Sequence, residues 1–274
     1  MLHSATRKRR LINALLLLLS CLLAIFSIRV AEVSLANPNE LSGWILFTAV
    51  TVLLFYAARK RLSTLPLGRV AHWLQVHIYT GLFCLFVFFI HTGWQWPNGW
   101  FEIGLTVSLI GTIITGVVGL YWSRTLPTAL TRLGDEVLYE RISGFCAGLR
   151  NEAEEIVLAA VEKTGSHALS DFYTRFAHGA LSRPNFHWRR LYSNYSPLHR
   201  HERKLMAAKR LMSSNEATAA ERLQELLQQK DLLDAHFTLQ GALKHWLFVH
   251  LAFSLPLIPL VLLHIILVYS FGLA

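Results

Sequence analysis

Thirteen histidines occur in the 274 residues, and six of them fall in two long apolar stretches. The stretch 70–91 holds His72, His77 and His91, and the stretch 245–272 holds His245, His250 and His264. Both sets are spaced by five residues and then by fourteen. A neutral imidazole can ligate haem iron, ligate another transition metal or exchange a proton. Ionisable groups inside an apolar segment are costly and usually functional. On a helix, fourteen residues rise about 21 Å and stop about 40° short of whole turns. His77 and His91 therefore share one face, as do His250 and His264 if the helix stays regular through Pro256 and Pro259. Two such helices facing each other would present two pairs, His77 with His250 and His91 with His264. Each pair offers two imidazoles about one haem apart, and helical bundles build cofactor sites from facing side chains in this way. Gly81 and Ser254 follow His77 and His250 by four residues and leave room for a flat porphyrin.

His72 and His245 point elsewhere, about 140° around the helix from His77 and His250. They lie beside Arg69 and Lys244. They read first as histidines of the headgroup region. The functional alternative is contact with haem propionates or a quinone head group. The remaining histidines (3, 167, 178, 187, 199, 201 and 236) form no pair with convincing metal-site geometry.

The elements that must carry these residues are membrane helices. The chain is 53% hydrophobic and only 16% charged, against about 25% charge in a soluble domain. Its mean hydropathy is +0.39. Five stretches, 11–28, 41–58, 70–91, 103–122 and about 245–272, approach the roughly 20 apolar residues of a bilayer crossing. None contains Asp, Glu, Lys or Arg, which weighs against a proton pump or ion-coupled transporter. Gly104, Gly111, Gly116 and Gly119 suit the fourth span to close packing. The expected architecture is an all-α integral membrane protein. Residues 1–123 carry four spans, 124–242 a helical insert, and 243–274 the fifth span.

Basic residues orient it. With the N-terminus inside, residues 1–10, 59–69 and 123–244 are cytoplasmic, and of 26 Lys and Arg only Arg29 is outside. Trp94, Trp96, Trp100 and Phe101 then belong to an outer aromatic belt, and Trp73, Tyr121, Trp122 and Trp246 to an inner one. The first span follows Arg7-Lys8-Arg9-Arg10 and precedes Ser34-Leu35-Ala36, a passable signal-peptidase site. Its 18 apolar residues exceed a signal-peptide core of 7–15, so an uncleaved anchor is expected. The location is the bacterial inner membrane, with the C-terminus periplasmic. The net charge of +9 does not point to nucleic acid. Segment 124–242 has sixteen basic and fourteen acidic residues, so the surplus sits at membrane flanks, where it meets anionic lipid. Cys21, Cys84 and Cys146 are scattered, with no C-x-x-C. That excludes a disulfide scaffold, a zinc ribbon and a c-type haem.

The insert reads as helical over 151–163, and 214–239 runs as one helix into the fifth span with Asn215 as its cap. Between them, residues 183–210 hold eight basic groups against Glu202 alone, interleaved with Phe186, Trp188, Tyr192 and Tyr195. This stretch could dock an acidic partner, a flavoprotein or a nucleotide phosphate, or simply face lipid headgroups. It has no P-loop, nucleophile elbow or metal motif.

The segment H-I-Y-T-G-L-F-C-L-F-V-F-F-I-H-T-G, with thirteen residues between its histidines, resembles membrane di-haem b-type cytochromes. Cytochrome b of the quinol–cytochrome c reductase complex has two such pairs on two helices. The ferric reductase and NADPH oxidase transmembrane domains look more similar still, with ligands on the third and fifth helices. The resemblance covers a little over half the chain. It implies two haems b, each held by one histidine from each helix, and transfer of electrons across the bilayer. By that resemblance the chain is the membrane subunit of an oxidoreductase system. Its partner would be a cytoplasmic flavoprotein or iron–sulfur protein, a quinone, or a periplasmic electron carrier. Two features depart from those families: no G-x-G-x-x-G fingerprint occurs, and about 120 residues separate the fourth and fifth spans. The rival readings are a quinone-reactive subunit with His72, Gln75, Lys244 and His245 at an inner pocket, a histidine-based transition-metal transporter, and a membrane scaffold.

Overall fold

The structure is a computed structural model describing residues 2–34, 37–61, 68–134, 137–193, 195–210 and 212–272; side chains of 2–7, 57–61 and 201 are outside that description. Residues 35 and 36 of the candidate cleavage site also lie outside the described residues. Among the described residues every regular element is helical. The helices are α1 Leu2–Val33, α2 Pro38–Arg61, α3 Val70–His91, α4 Trp100–Thr131, α5 Ile142–Thr164, α6 Ala168–Phe172, α7 His178–Leu181, α8 Leu198–Lys209 and α9 Ser214–Phe271. Stretches within α1, α2, α3, α4 and α9 are long and apolar enough to cross a membrane. The chain divides into two compact units, 1–118 with 248–274, and 119–247.

In the first unit, local chemistry fixes where the histidine-bearing turns begin and end. Asn37 caps α2, its side-chain oxygen accepting the backbone N–H of Asn39 at 3.0 Å and of Glu40 at 3.4 Å. Pro38 occupies the first helical position, where its missing N–H costs nothing. α3 stops one residue after His91 in a Schellman motif. Gly93 adopts φ 57°, and the N–H groups of Gly93 and Trp94 bond the carbonyls of Ile90 and Phe89. Trp94 stacks on Phe89 at 4.6 Å, the apolar contact that accompanies this cap. α1 packs on α2 and α3, and Asn13 donates to the Gln75 side chain at 3.1 Å. The core of this unit is small: Ala49, Val50, Cys84, Leu109 and Leu257, from four helices.

The second unit has a closed leucine core. Ile142, Cys146, Leu149, Ala153, Val157 and Ala160 line one face of α5 and pack with Ala220, Leu223, Leu226 and Leu227 of α9. Gly165 ends α5 in the left-handed conformation, φ 67°. The expected α9 cap is corrected. Ser213, not Asn215, closes the helix: the Glu216 N–H reaches the Ser213 hydroxyl at 3.4 Å and the Ser213 N–H reaches the Glu216 carboxylate at 3.1 Å. This is the reciprocal S-x-x-E box. α4 also continues past residue 122, where hydropathy ends the span. Leu126, with Ala129 and Leu130 behind it, packs against Leu239, Ala242 and Leu243, so tertiary burial extends the helix beyond its apolar run. α9 is continuous from the insert into the fifth span and stays helical through Pro256 and Pro259.

Candidate functional site

The outer histidines meet. The His91 and His264 rings lie 6.3 Å apart between centroids, at 88° to each other. Two imidazoles on opposite sides of one metal, with metal–nitrogen bonds of about 2 Å and each ring centre about 1 Å behind its nitrogen, would put the centroids about 6 Å apart. The observed spacing fits that requirement. Both rings face a cavity of about 590 Å³, lined also by Gly43, Phe88, Leu109, Val261 and Tyr269. That size is within the usual range of small-molecule sites.

The neighbours of His91 fix which nitrogen faces the cavity chemistry. Its Nδ1 is 3.0 Å from the Ser42 hydroxyl and 3.1 Å from the Asn39 carbonyl. The Ser42 hydroxyl gives its own proton to that same carbonyl at 2.9 Å. Both neighbours are therefore acceptors, Nδ1 carries the proton, and Nε2 keeps the lone pair. This is the outer arrangement that orients metal-ligating histidines generally. Gly43 makes room for the ring, since a Cβ there would stand 3.2 Å from His91 Cε1. On the other side, the Phe101 ring lies nearly parallel to His264, 6.3 Å away.

The inner histidines occupy the same two helices, α3 and α9. His250 repeats the pattern of His91. Its Nδ1 lies 2.9 Å from the Thr115 hydroxyl, and that hydroxyl donates to the Gly111 carbonyl at 2.7 Å. Thr115 thus fixes the orientation of the His250 ring through Nδ1. Gly116 is 3.6 Å from His250 Cε1 when given a Cβ. The His77 ring lies 5.0 Å from that of Tyr56, tilted by 36°. Beside Gly81 a Cβ would meet nothing within 4 Å, so the face one turn above His77 is open. Ser254 bonds only weakly within its own helix, to Leu251 at 3.5 Å.

Of the four span glycines, three do allow close approach: Gly111 against Phe253, Gly116 against His250 and Gly119 against the Trp246 indole. Gly104 does not, because its surroundings are open. Trp246 is thus packed into its unit as well as marking an interface. The secondary candidates are engaged locally. His245 Nδ1 donates to the Gly241 carbonyl within its helix at 2.7 Å. Lys244 pairs with Glu140 and lies 4.4 Å from the Tyr139 ring centre. Glu140, fully exposed, is held below the usual carboxylate range by the hydrogen bond from Lys244. Gln75 is engaged with Asn13, and His72 is exposed next to Arg69 at the start of α3. His72 belongs to the first unit and His245 to the second.

Asn39, Ser42, Gly43 and Thr115 were not singled out by sequence. Their signal is faint: small or hydroxylated residues within apolar runs. Among the described residues no three or more of His, Cys, Asp and Glu converge as a metal site. Comparison with known proteins finds no family model, no curated relative and no solved structure that matches the chain.

Proposed function

We propose that the chain is a membrane cytochrome b with two haems b, one between His91 and His264 and one between His77 and His250. Its role is to carry electrons across the bilayer, between a cytoplasmic or quinone donor and an acceptor on the opposite side. The observation that carries this reading is the outer pair: two imidazoles with centroids 6.3 Å apart, facing one cavity. His91 with His264, and His77 with His250, would each hold a haem that would supply one-electron chemistry, and two imidazole ligands to one iron would favour relay over oxygen activation. The protein's own groups prepare the pair. Asn39 and Ser42 hold the His91 tautomer, and Thr115 orients the His250 ring. Gly43 and Gly81 supply space beside the ligand rings. Phe88, Leu109 and Val261 give the cavity an apolar wall, and Glu40, Gln95, Asn98 and Glu102 lie on its polar side. The basic flanks support an N-terminus and insert in the cytoplasm of a bacterial cell and a C-terminus in the periplasm. The partner would then be a cytoplasmic flavoprotein or iron–sulfur protein, a quinone, or a periplasmic electron carrier.

The test is optical. Protein purified in detergent from haem-replete cells should show a low-spin b-type α-band on dithionite reduction. A pyridine haemochrome assay should give about two haems per chain. A colourless protein would overturn the reading and bring the transition-metal transporter and the scaffold forward.

A further inference from the structure

We propose that the end of the turn 183–192 of the insert, from Trp188 to Tyr192, is a docking surface for anionic phospholipid headgroups at the inner face of the membrane. The turn is fastened to α9 by four contacts. The Asn185 N–H donates to Asp234 at 2.8 Å, and the His187 N–H donates to Thr238 at 3.1 Å. Arg190 pairs with Asp231. The Leu191 side chain packs onto Leu126, Leu239 and Ala242.

That last contact sets the depth of the turn. Leu126 lies four residues after Trp122, and Ala242 four residues before Trp246. Four residues are about 6 Å of helix rise. Trp122, Lys244 and Trp246 mark the inner boundary of the apolar runs. Beyond that boundary the headgroup layer is about 5–8 Å thick on each side. The end of the turn, from Trp188 to Tyr192, therefore reaches headgroup level, while Asn185, held at Asp234 ten residues before Lys244, lies about 15 Å below it.

What it displays there fits that layer. Trp188 is 62% exposed and Tyr192 67% exposed, and Phe186 is exposed beside them. Amphipathic rings of this kind are enriched at membrane interfaces. Arg183 and Arg189 are exposed and have no acidic partner among the described residues. Arg189 lies 5.8 Å from the Trp188 ring centre and 5.7 Å from that of Tyr195. Arg190, by contrast, is spent on Asp231 and holds the turn in place. Aromatic and basic groups thus face out together, where phosphate and glycerol lie.

The inference rests on the membrane location proposed above and not on the haems. Full-length protein with Cys21→Ser and Ser193→Cys, labelled at 193 with an environment-sensitive fluorophore, would be placed in nanodiscs. The lipid would be phosphatidylcholine with or without phosphatidylglycerol, each spin-labelled at the headgroup in turn. Leu158→Cys is the control. It is 69% exposed on α5, whose Glu152 pairs with Arg222 at 2.6 Å, far along α9 from Lys244. The expected result is quenching at 193 and not at 158, stronger with labelled phosphatidylglycerol. That preference should fall about fivefold for Arg189→Gln, as for a basic residue at an anionic surface, and hold for Arg183→Gln, which lies deeper on the cytoplasmic side. No quenching at 193 in an inserted protein overturns the inference. So does equal quenching by both lipids, or a probe shielded equally in detergent, which would mean a protein contact. Protein that fails to insert would instead sink the membrane reading, and haem content reads the cytochrome proposal separately.

Discussion

The assignment of histidines to two haems predicts a specific pattern of loss. Replacing His91 by Ala removes one of two imidazoles whose centroids are 6.3 Å apart, so the outer haem should go and the inner remain. Haem content falls from about two per chain to about one, and the reduced α-band loses about half its area. His264→Ala should do the same. The double variant His91→Ala/His264→Ala should lose no more than either single change, because both report one site. A cross-pair variant, His91→Ala/His250→Ala, should lose both haems. The pairs are fourteen residues apart on each helix, about 21 Å of rise, well beyond the distance at which neighbouring sites usually couple. Losses should therefore add across pairs and not within them. The assay is the pyridine haemochrome of purified variants, and the surviving haem serves as an internal check on folding. Should a single replacement at 91 remove both haems equally, or the 91/264 double retain two, the pairing argued here is wrong.

Other expectations follow from packing and charge. Gly119→Leu should drive a side chain into the Trp246 indole and cost about 1–3 kcal/mol of stability, read as a lower melting temperature in detergent; Gly104→Leu, in open surroundings, should not. Asp234→Ala strands the Lys230 ammonium, whose side chain is 3% exposed against 6% for its partner, and should destabilise the insert by about 3–5 kcal/mol; Lys230→Met/Asp234→Leu should recover much of that in urea unfolding. Burial, reinforced by Glu154, pushes the Tyr173 phenol from 10 up to about 12. Below pH 10 it is neutral folded or unfolded; between 10 and about 12 only the unfolded chain releases the proton, so stability falls as pH rises through that window. Tyr173→Phe should flatten that part of a melting-temperature profile against pH.

Much of this was legible in sequence because the signals were periodic and long. Five apolar runs named the spans, and the repeated fourteen-residue spacing named the histidine faces. α3 begins and ends where hydropathy puts it, at Val70 and His91. What escaped depends on contacts between distant segments. α4 runs on to Thr131 because Leu126 finds Leu239 and Ala242, and no local pattern announces that burial. Asn215 looked like a cap because Asn is a good one, yet Ser213 with Glu216 satisfies two backbone donors in place of one. Asn39, Ser42 and Thr115 were invisible for a different reason. Hydroxyls and backbone carbonyls are everywhere, and only a fold shows which of them stands behind a histidine nitrogen. Lys244 illustrates the converse. Its charge beside His245 suggested a propionate or quinone contact, but Glu140 and Tyr139 occupy it. Gln75 likewise has a local partner in Asn13 that the sequence did not announce.

The membrane unit and the insert are filled by different means, and that difference bears on function. The insert closes on its own leucines. The membrane unit has a core of five small and medium side chains, and its position matters. Cys84 is seven residues from both His77 and His91, and Leu257 is seven from both His250 and His264. The bundle's own packing therefore sits midway between the two histidine levels, and the outer level opens into the cavity. In lipid the hydrophobic effect does not draw helices together, so packing and polar contacts must do it. A scaffold would gain nothing from an imidazole held in a chosen tautomer at such a level. A haem needs two nitrogen ligands and a flat apolar space between helices. At the outer level two imidazoles face one cavity, and the fourteen-residue spacing repeats the histidines, His77 and His250, on the same two helices.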